Sequence, residues 1–230
     1  VLPVRLVRPD GAPQRPAGAE DRPAEEGVVD LLACFRQMGL GDVLSHPRDA
    51  AVSLRGARMM LTHGLKRVDQ YDPAVVEEFY PVFLDVYRDA IDHHTVLYPG
   101  AMEAVAALKQ IGYRVAICTN KPEGLADTLL TRLGVRDDFG AMLGADTLDV
   151  RKPDPEHLFE TARRAGGDPA QCCLVGDTNT DRKTAAAAGV PCILVTFGPV
   201  GDDMAALNPE GLLDDFADLP ALVTRLIGMP

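Results

Sequence analysis

The sequence has no apolar run approaching the ~18 residues that a bilayer-spanning helix requires, so no membrane span is expected. It has no cluster of Lys and Arg either: 23 basic residues against 34 acidic ones leave a formal net charge of −11. Nucleic-acid backbones are held by such clusters, so a nucleic-acid partner is excluded. A chain this negative that handles small phosphates needs a metal ion or a local cationic pocket. The five cysteines, Cys34, Cys118, Cys172, Cys173 and Cys192, form no C-x-x-C pair. Four lie in or beside apolar strand-like runs and are expected as buried free thiols. No secretory signal is visible, because Val1 to Arg22 is broken by Pro and Arg where a continuous apolar segment would be needed. A cytoplasmic location is the default expectation. No internal repeat is present.

What is there is ordinary globular composition, 47% apolar and 25% charged over 230 residues. That length suits one sizeable core with a smaller appended domain. From Pro99 onward, helical and strand patterns alternate. Met102, Val105, Ala106 and Leu108 recur at helical spacing over 101–111, and the short apolar run 113–118 reads as a strand. The pattern repeats as helices near 122–133, 154–165 and 180–188 and as strands near 141–145, 172–176 and 192–196. Such alternation makes parallel βαβ units, giving an α/β class with a doubly wound, Rossmann-like parallel sheet covered on both faces. Residues 28–95 offer helical periodicity without strands, including Asp72-Pro73 opening a helix with Val76, Phe79, Phe83 and Tyr87. They are expected as an inserted helical domain ahead of a core spanning 96–230. Residues 1–27 hold Pro3, Pro9, Pro13, Pro16 and Pro23 among Arg, Ala and Gly, the composition of an irregular lead.

In a parallel α/β sheet, ligands bind beyond the carboxyl ends of the strands. Three such ends carry polar groups: Thr119-Asn120-Lys121, Arg151-Lys152-Pro153-Asp154 and Gly176-Asp177. Each has a plain structural role open to it. Thr119 and Asn120 could cap a helix, Lys152 could be solvated, and Asp154 with Pro155 reads as an N-cap followed by Pro at the first helical position. Asp177 and Asp181 are two acids at one strand end. Paired carboxylates repel unless a cation relieves them, and Mg²⁺ takes one or two carboxylates together with water and substrate phosphate. Asp181 could equally serve the helix start, where acids are favoured. Together, a hydroxyl and amide able to grip a phosphoryl oxygen (Thr119, Asn120), a lysine charge (Lys152) and metal-holding acids (Asp177, Asp181) are the parts of phosphoryl transfer.

The strings LYPGAMEAVAALKQIGYRVAICTNKP, DTLDVRKPDPEHLF and CLVGDTNTDRKTAAAAGV, over roughly residues 95–200, resemble the haloacid dehalogenase-like hydrolases, and within them the phosphoglycolate phosphatases. The resemblance implies a Mg²⁺-dependent phosphomonoester hydrolase acting on a small phosphorylated substrate. Thr119 would bind the phosphoryl group, Lys152 would be the third-motif lysine, and Asp177 and Asp181 the acids serving the metal. SLRGARMMLTHGL, residues 53–65, resembles the start of the family's helical cap, with Arg55 where a small residue is usual. The family's first motif, D-x-D-x-T at the end of a central strand, supplies the nucleophile and the acid/base, and it is not found in this sequence. The nearest placement lays Arg8-Pro9-Asp10-Gly11-Ala12 over it, with Asp10 matching the acid/base and Arg8 standing at the nucleophile. Residues 1–7 carry Pro3 and Arg5, which suit a doubly covered central strand poorly. Two expectations compete. Either catalysis is lost and a phosphate- and metal-binding module remains, or the stretch before about residue 27 is an out-of-frame or truncated reading. The second is favoured by how intact the rest of the site is.

Overall fold

The computed structural model describes residues 4–6, 35, 39, 56–89, 91–92, 95–198 and 203–230. The chain divides into two compact units, one of residues 5–96 and one of residues 1–4 with 97–230. Val4–Leu6 (β1) pairs with Thr95–Leu97 (β2) as a two-stranded sheet.

In the first unit, Ala57–Arg67 (α1) and Pro73–Asp89 (α2) pack together. Asp72 starts α2 by accepting the Ala74 amide at 2.7 Å. The apolar stripe foreseen for this helix is real: Val76 and Phe83 are buried against Met60, Leu61 and Leu65 of α1 and against Phe35. Phe35 and Phe83 meet edge-on with centroids 6.2 Å apart, a favoured quadrupole geometry.

The second unit is the alternating α/β region. Gly100 (φ 77°) and Gly112 (φ 115°) bracket Ala101–Ile111 (α3), both in left-handed conformations that favour glycine. Ala116–Cys118 (β3) lies parallel to Ala141–Leu143 (β4), with Ala116 opposite Ala141 and Cys118 opposite Leu143. Between them runs Glu123–Arg132 (α4). Pro155–Arg164 (α5) follows β4, capped as foreseen by Asp154, whose carboxylate accepts the Glu156 amide at 2.9 Å. Leu174–Gly176 (β5), Cys192–Val195 (β6) and Gly211–Leu213 (β7) form a parallel three-stranded sheet in that order. Asn179–Ala188 (α6) joins β5 to β6, and Leu219–Ile227 (α7) closes the chain. Strand β7 and helix α7 go beyond what the sequence pattern foretold.

Strand β6 explains why the runs are continuously apolar. All four of its side chains are fully buried, and they alternate between two cores. Ile193 and Val195 join α3 and α7 residues such as Leu108, Leu219 and Val223. Cys192 and Leu194 join Leu158, Leu174 and Ala185 on the other face. A strand covered on both sides has no polar face to present. A cavity of about 370 Å³ is lined by Ala116 and Cys118 of β3 and by Cys173 and Val175 at β5, among others.

The cysteine expectation needs correction. Cys118 and Cys192 are buried free thiols, but Cys172 and Cys173 are only partly covered. Cys34 lies outside the described residues. No helix among the described residues is long and apolar enough to cross a membrane.

Candidate active site

Thr119 follows β3 directly, and its amide extends the ladder by donating to the Leu143 carbonyl at 3.0 Å. Its hydroxyl oxygen accepts the Lys121 amide at 3.1 Å, which leaves the hydroxyl proton available to another acceptor. Neither Thr119 nor Asn120 caps α4, whose N-cap is Pro122 without a side-chain bond. Asn120 instead donates from Nδ2 to the Lys152 carbonyl at 2.9 Å, tying the loop after β3 to the loop that carries the lysine.

Lys152 is not solvated. Its side chain is 6% exposed, and Nζ donates to Asp181 Oδ1 at 2.6 Å, with Asp181 3% exposed. Burial opposes charge on Asp181, but the lysine's charge and hydrogen bond overcome it and hold the carboxyl below the usual carboxylate range. The other oxygen, Oδ2, accepts from the Thr178 hydroxyl at 2.6 Å and from the Thr178 and Asp177 amides at 3.2 and 3.3 Å. Thr178 and Asp181 also form the capping box of α6. Of the two readings of Asp181 that the sequence allowed, the structure shows the one at the helix start, and it adds the ion pair with Lys152. Both its oxygens are engaged by protein donors.

Asp177 differs. Among the described residues, no side-chain donor meets its carboxylate, and burial, reinforced by the Asp181 charge, pushes its carboxyl above the usual range. A half-buried acid with no cationic partner of its own suits a hard cation ligated by oxygen. No group of three or more His, Cys, Asp or Glu side chains that could hold a metal occurs among the described residues. Among the described residues, an ion here would rest on Asp177 with backbone, water or substrate oxygens. Mg²⁺ fits that donor set, since it commonly keeps several waters and uses one or two carboxylates. Asp10 lies outside the described residues.

Gly176 lets Asp181 lie close against the end of β5. A Cβ there would fall 2.4 Å from Asp181 Cβ and Cγ, closer than atoms tolerate. Gly176→Ala is expected to push Asp181 off Lys152 and to cost roughly 1–3 kcal/mol, the usual range for overpacking, measurable by urea unfolding. An unchanged midpoint would show that the pair does not depend on that contact.

Two contributors were missed in the sequence. Thr178 orients Asp181, and S/T-x-x-D before a helix was the signal that could have found it. His157 is fully buried, 3.2 Å through Nδ1 from Cys118 Sγ and 2.8 Å through Nε2 from the Gly144 carbonyl. A lone histidine in the first turn of a helix carries no such signal.

A model of the haloacid dehalogenase-like hydrolases matches residues 24–189. A phosphoglycolate phosphatase of Mesorhizobium japonicum is 38% identical over 200 residues, 81% of this chain and 88% of that relative. The crystal structure of a predicted phosphoglycolate phosphatase from Haemophilus somnus superposes with a TM-score of 0.75 at 26% identity, covering 85% of this chain and 89% of that one. CbbY from Rhodobacter sphaeroides, in complex with phosphate, shares the fold at a TM-score of 0.66 and 19% identity, covering 84% of this chain and 88% of its own.

Proposed function

This chain belongs to the haloacid dehalogenase-like hydrolases, and from that premise we propose that it is a Mg²⁺-dependent phosphomonoester hydrolase, with phosphoglycolate the first substrate to test. The buried Lys152–Asp181 pair beside Asp177 carries this reading. A buried ion pair contributes little net stability over apolar residues of the same size. Its position at the strand ends therefore argues for a cation kept in place for an anion.

In this reading Thr119 donates its hydroxyl proton to a phosphoryl oxygen, and its own oxygen is fixed by the Lys121 amide. Lys152 spends one donor on Asp181 and offers the others to the phosphoryl group. Asp181 orients the lysine rather than holding the metal, because both its oxygens already have donors. Asn120 braces the two loops against each other, and Asp177 would hold Mg²⁺. When bound, the metal supplies Lewis-acid polarisation of the phosphoryl oxygens. The helical unit would play the part of the substrate-selecting cap that the resemblance implies.

The phosphoryl acceptor that the resemblance calls for has no D-x-D-x-T counterpart in these 230 residues. The purified chain is therefore expected to bind phosphate with Mg²⁺ and to release it from phosphoglycolate at a rate reduced on the order of 10⁶-fold, as when a hydrolase loses its nucleophile. A continuous phosphate-release assay checks this. Ordinary enzymatic turnover would show that another group accepts the phosphoryl. The same missing motif favours a second reading, a non-catalytic module that binds a phosphorylated metabolite. Residual turnover that vanishes in Lys152→Met identifies an impaired enzyme; binding with no turnover at all identifies the module.

A further inference from the structure

We propose that His157 is a positioning residue for the phosphate site: it sets the spacing between the Thr119 hydroxyl and the Lys152 ammonium, and this rests on the phosphate-site reading above. The Gly144 carbonyl can only accept, so Nε2 carries the proton and donates at 2.8 Å. Nδ1 meets Cys118 Sγ at 3.2 Å, accepting from the thiol when the ring is neutral. One side chain thus pins the end of β3, just before Thr119, and the residue after β4 to the first turn of α5, five residues beyond Lys152.

Gly144 passes the constraint on. A Cβ on it would lie 2.3 Å from the Glu123 amide nitrogen, so the loop from Thr119 to Glu123 packs directly on its backbone. The Ala145 amide donates to the Lys121 carbonyl at 3.0 Å, and the Glu123 amide donates to Asp146 Oδ1 at 2.7 Å. From the far side, Asn120 reaches the Lys152 carbonyl. A shift of His157 therefore moves both loops that present the anion-binding groups. Packing alone would be met by an apolar side chain, as Leu158 meets it next door.

The test compares wild type with His157→Leu, which fills the space without the two hydrogen bonds, and Cys118→Val with Cys118→Ser, which keeps a donor for Nδ1. The Asn120 side-chain amide, read by ¹H–¹⁵N NMR, reports loop spacing. Calorimetry with inorganic phosphate and Mg²⁺ reports its consequence. At a temperature where every variant is folded by near-ultraviolet circular dichroism, His157→Leu is expected to shift the Asn120 resonance and to weaken phosphate binding about tenfold. Cys118→Val should weaken it less, and Cys118→Ser should recover most of the loss. An unmoved Asn120 resonance, or a lowered melting temperature with phosphate affinity intact, overturns the proposal. If wild type itself binds no phosphate, the site reading fails, and the Asn120 resonance alone decides whether His157 positions the loops.

Discussion

Lys152→Ala is expected to lower unfolding stability by about 3–5 kcal/mol, because it leaves the Asp181 carboxylate buried without its partner. For a chain of this size that corresponds to a fall of roughly 6–20 °C in melting temperature. The pair is 2.6 Å long and both side chains are buried, so solvent cannot take over from the lost ammonium as it would at the surface. The effect should also depend on pH in one direction. The Asp181 carboxyl titrates lower in the folded state than its unfolded value of about 3.9. Its contribution is thus fully present above that value and is lost as pH falls through the folded one. Lys152→Ala should differ least from wild type in acid. The double variant Lys152→Met/Asp181→Asn removes both charges and keeps an amide acceptor for Thr178, and it should recover at least half of the loss. Recovery of stability without recovery of phosphate binding would separate the structural share of the pair from its chemical share. If the double variant is as unstable as the single one, the buried charge is not the cause.

Asp177→Asn is expected to abolish stabilisation by Mg²⁺ altogether. At a Mg²⁺ concentration one hundred times the dissociation constant, a single site stabilises the wild type by about 2.7 kcal/mol, which thermal unfolding resolves easily. The carboxyl titrates higher in the folded state than in the unfolded one, so without metal the native state binds the extra proton. Stability then declines as pH rises from the unfolded value towards the folded one. Removing the charge should therefore make the metal-free protein slightly more stable at neutral pH, while erasing its response to the ion. A Mg²⁺ shift that survives in Asp177→Asn would place the ion elsewhere.

The strand ends were legible because their chemistry is local. Asp154 and Pro155 announced the start of α5, and the cap bond is there. The apolar runs that became β3 to β6 are continuous because both faces are covered, and β6 is the clearest case. What stayed hidden depends on partners far along the chain. Burial of Lys152 follows from an acid 29 residues away, and no local pattern marks a lysine that will lose its water. Asn120 reads as a helix cap, yet it braces a loop 32 residues on. His157 works only because Cys118 and Gly144 arrive beside it. Strand β7 opens on Gly211 shortly after Asn208 and Pro209, residues that read as a turn and hide the short apolar run behind them.

The most direct measurement is a calorimetric titration of inorganic phosphate into the 230-residue chain and into Lys152→Met, each with and without Mg²⁺. Saturable binding by the wild type that strengthens with Mg²⁺ and disappears in Lys152→Met is the predicted result. Binding that is indifferent to both the ion and the lysine, or none at all in the folded wild type, would contradict the account of these strand ends as a phosphoryl site.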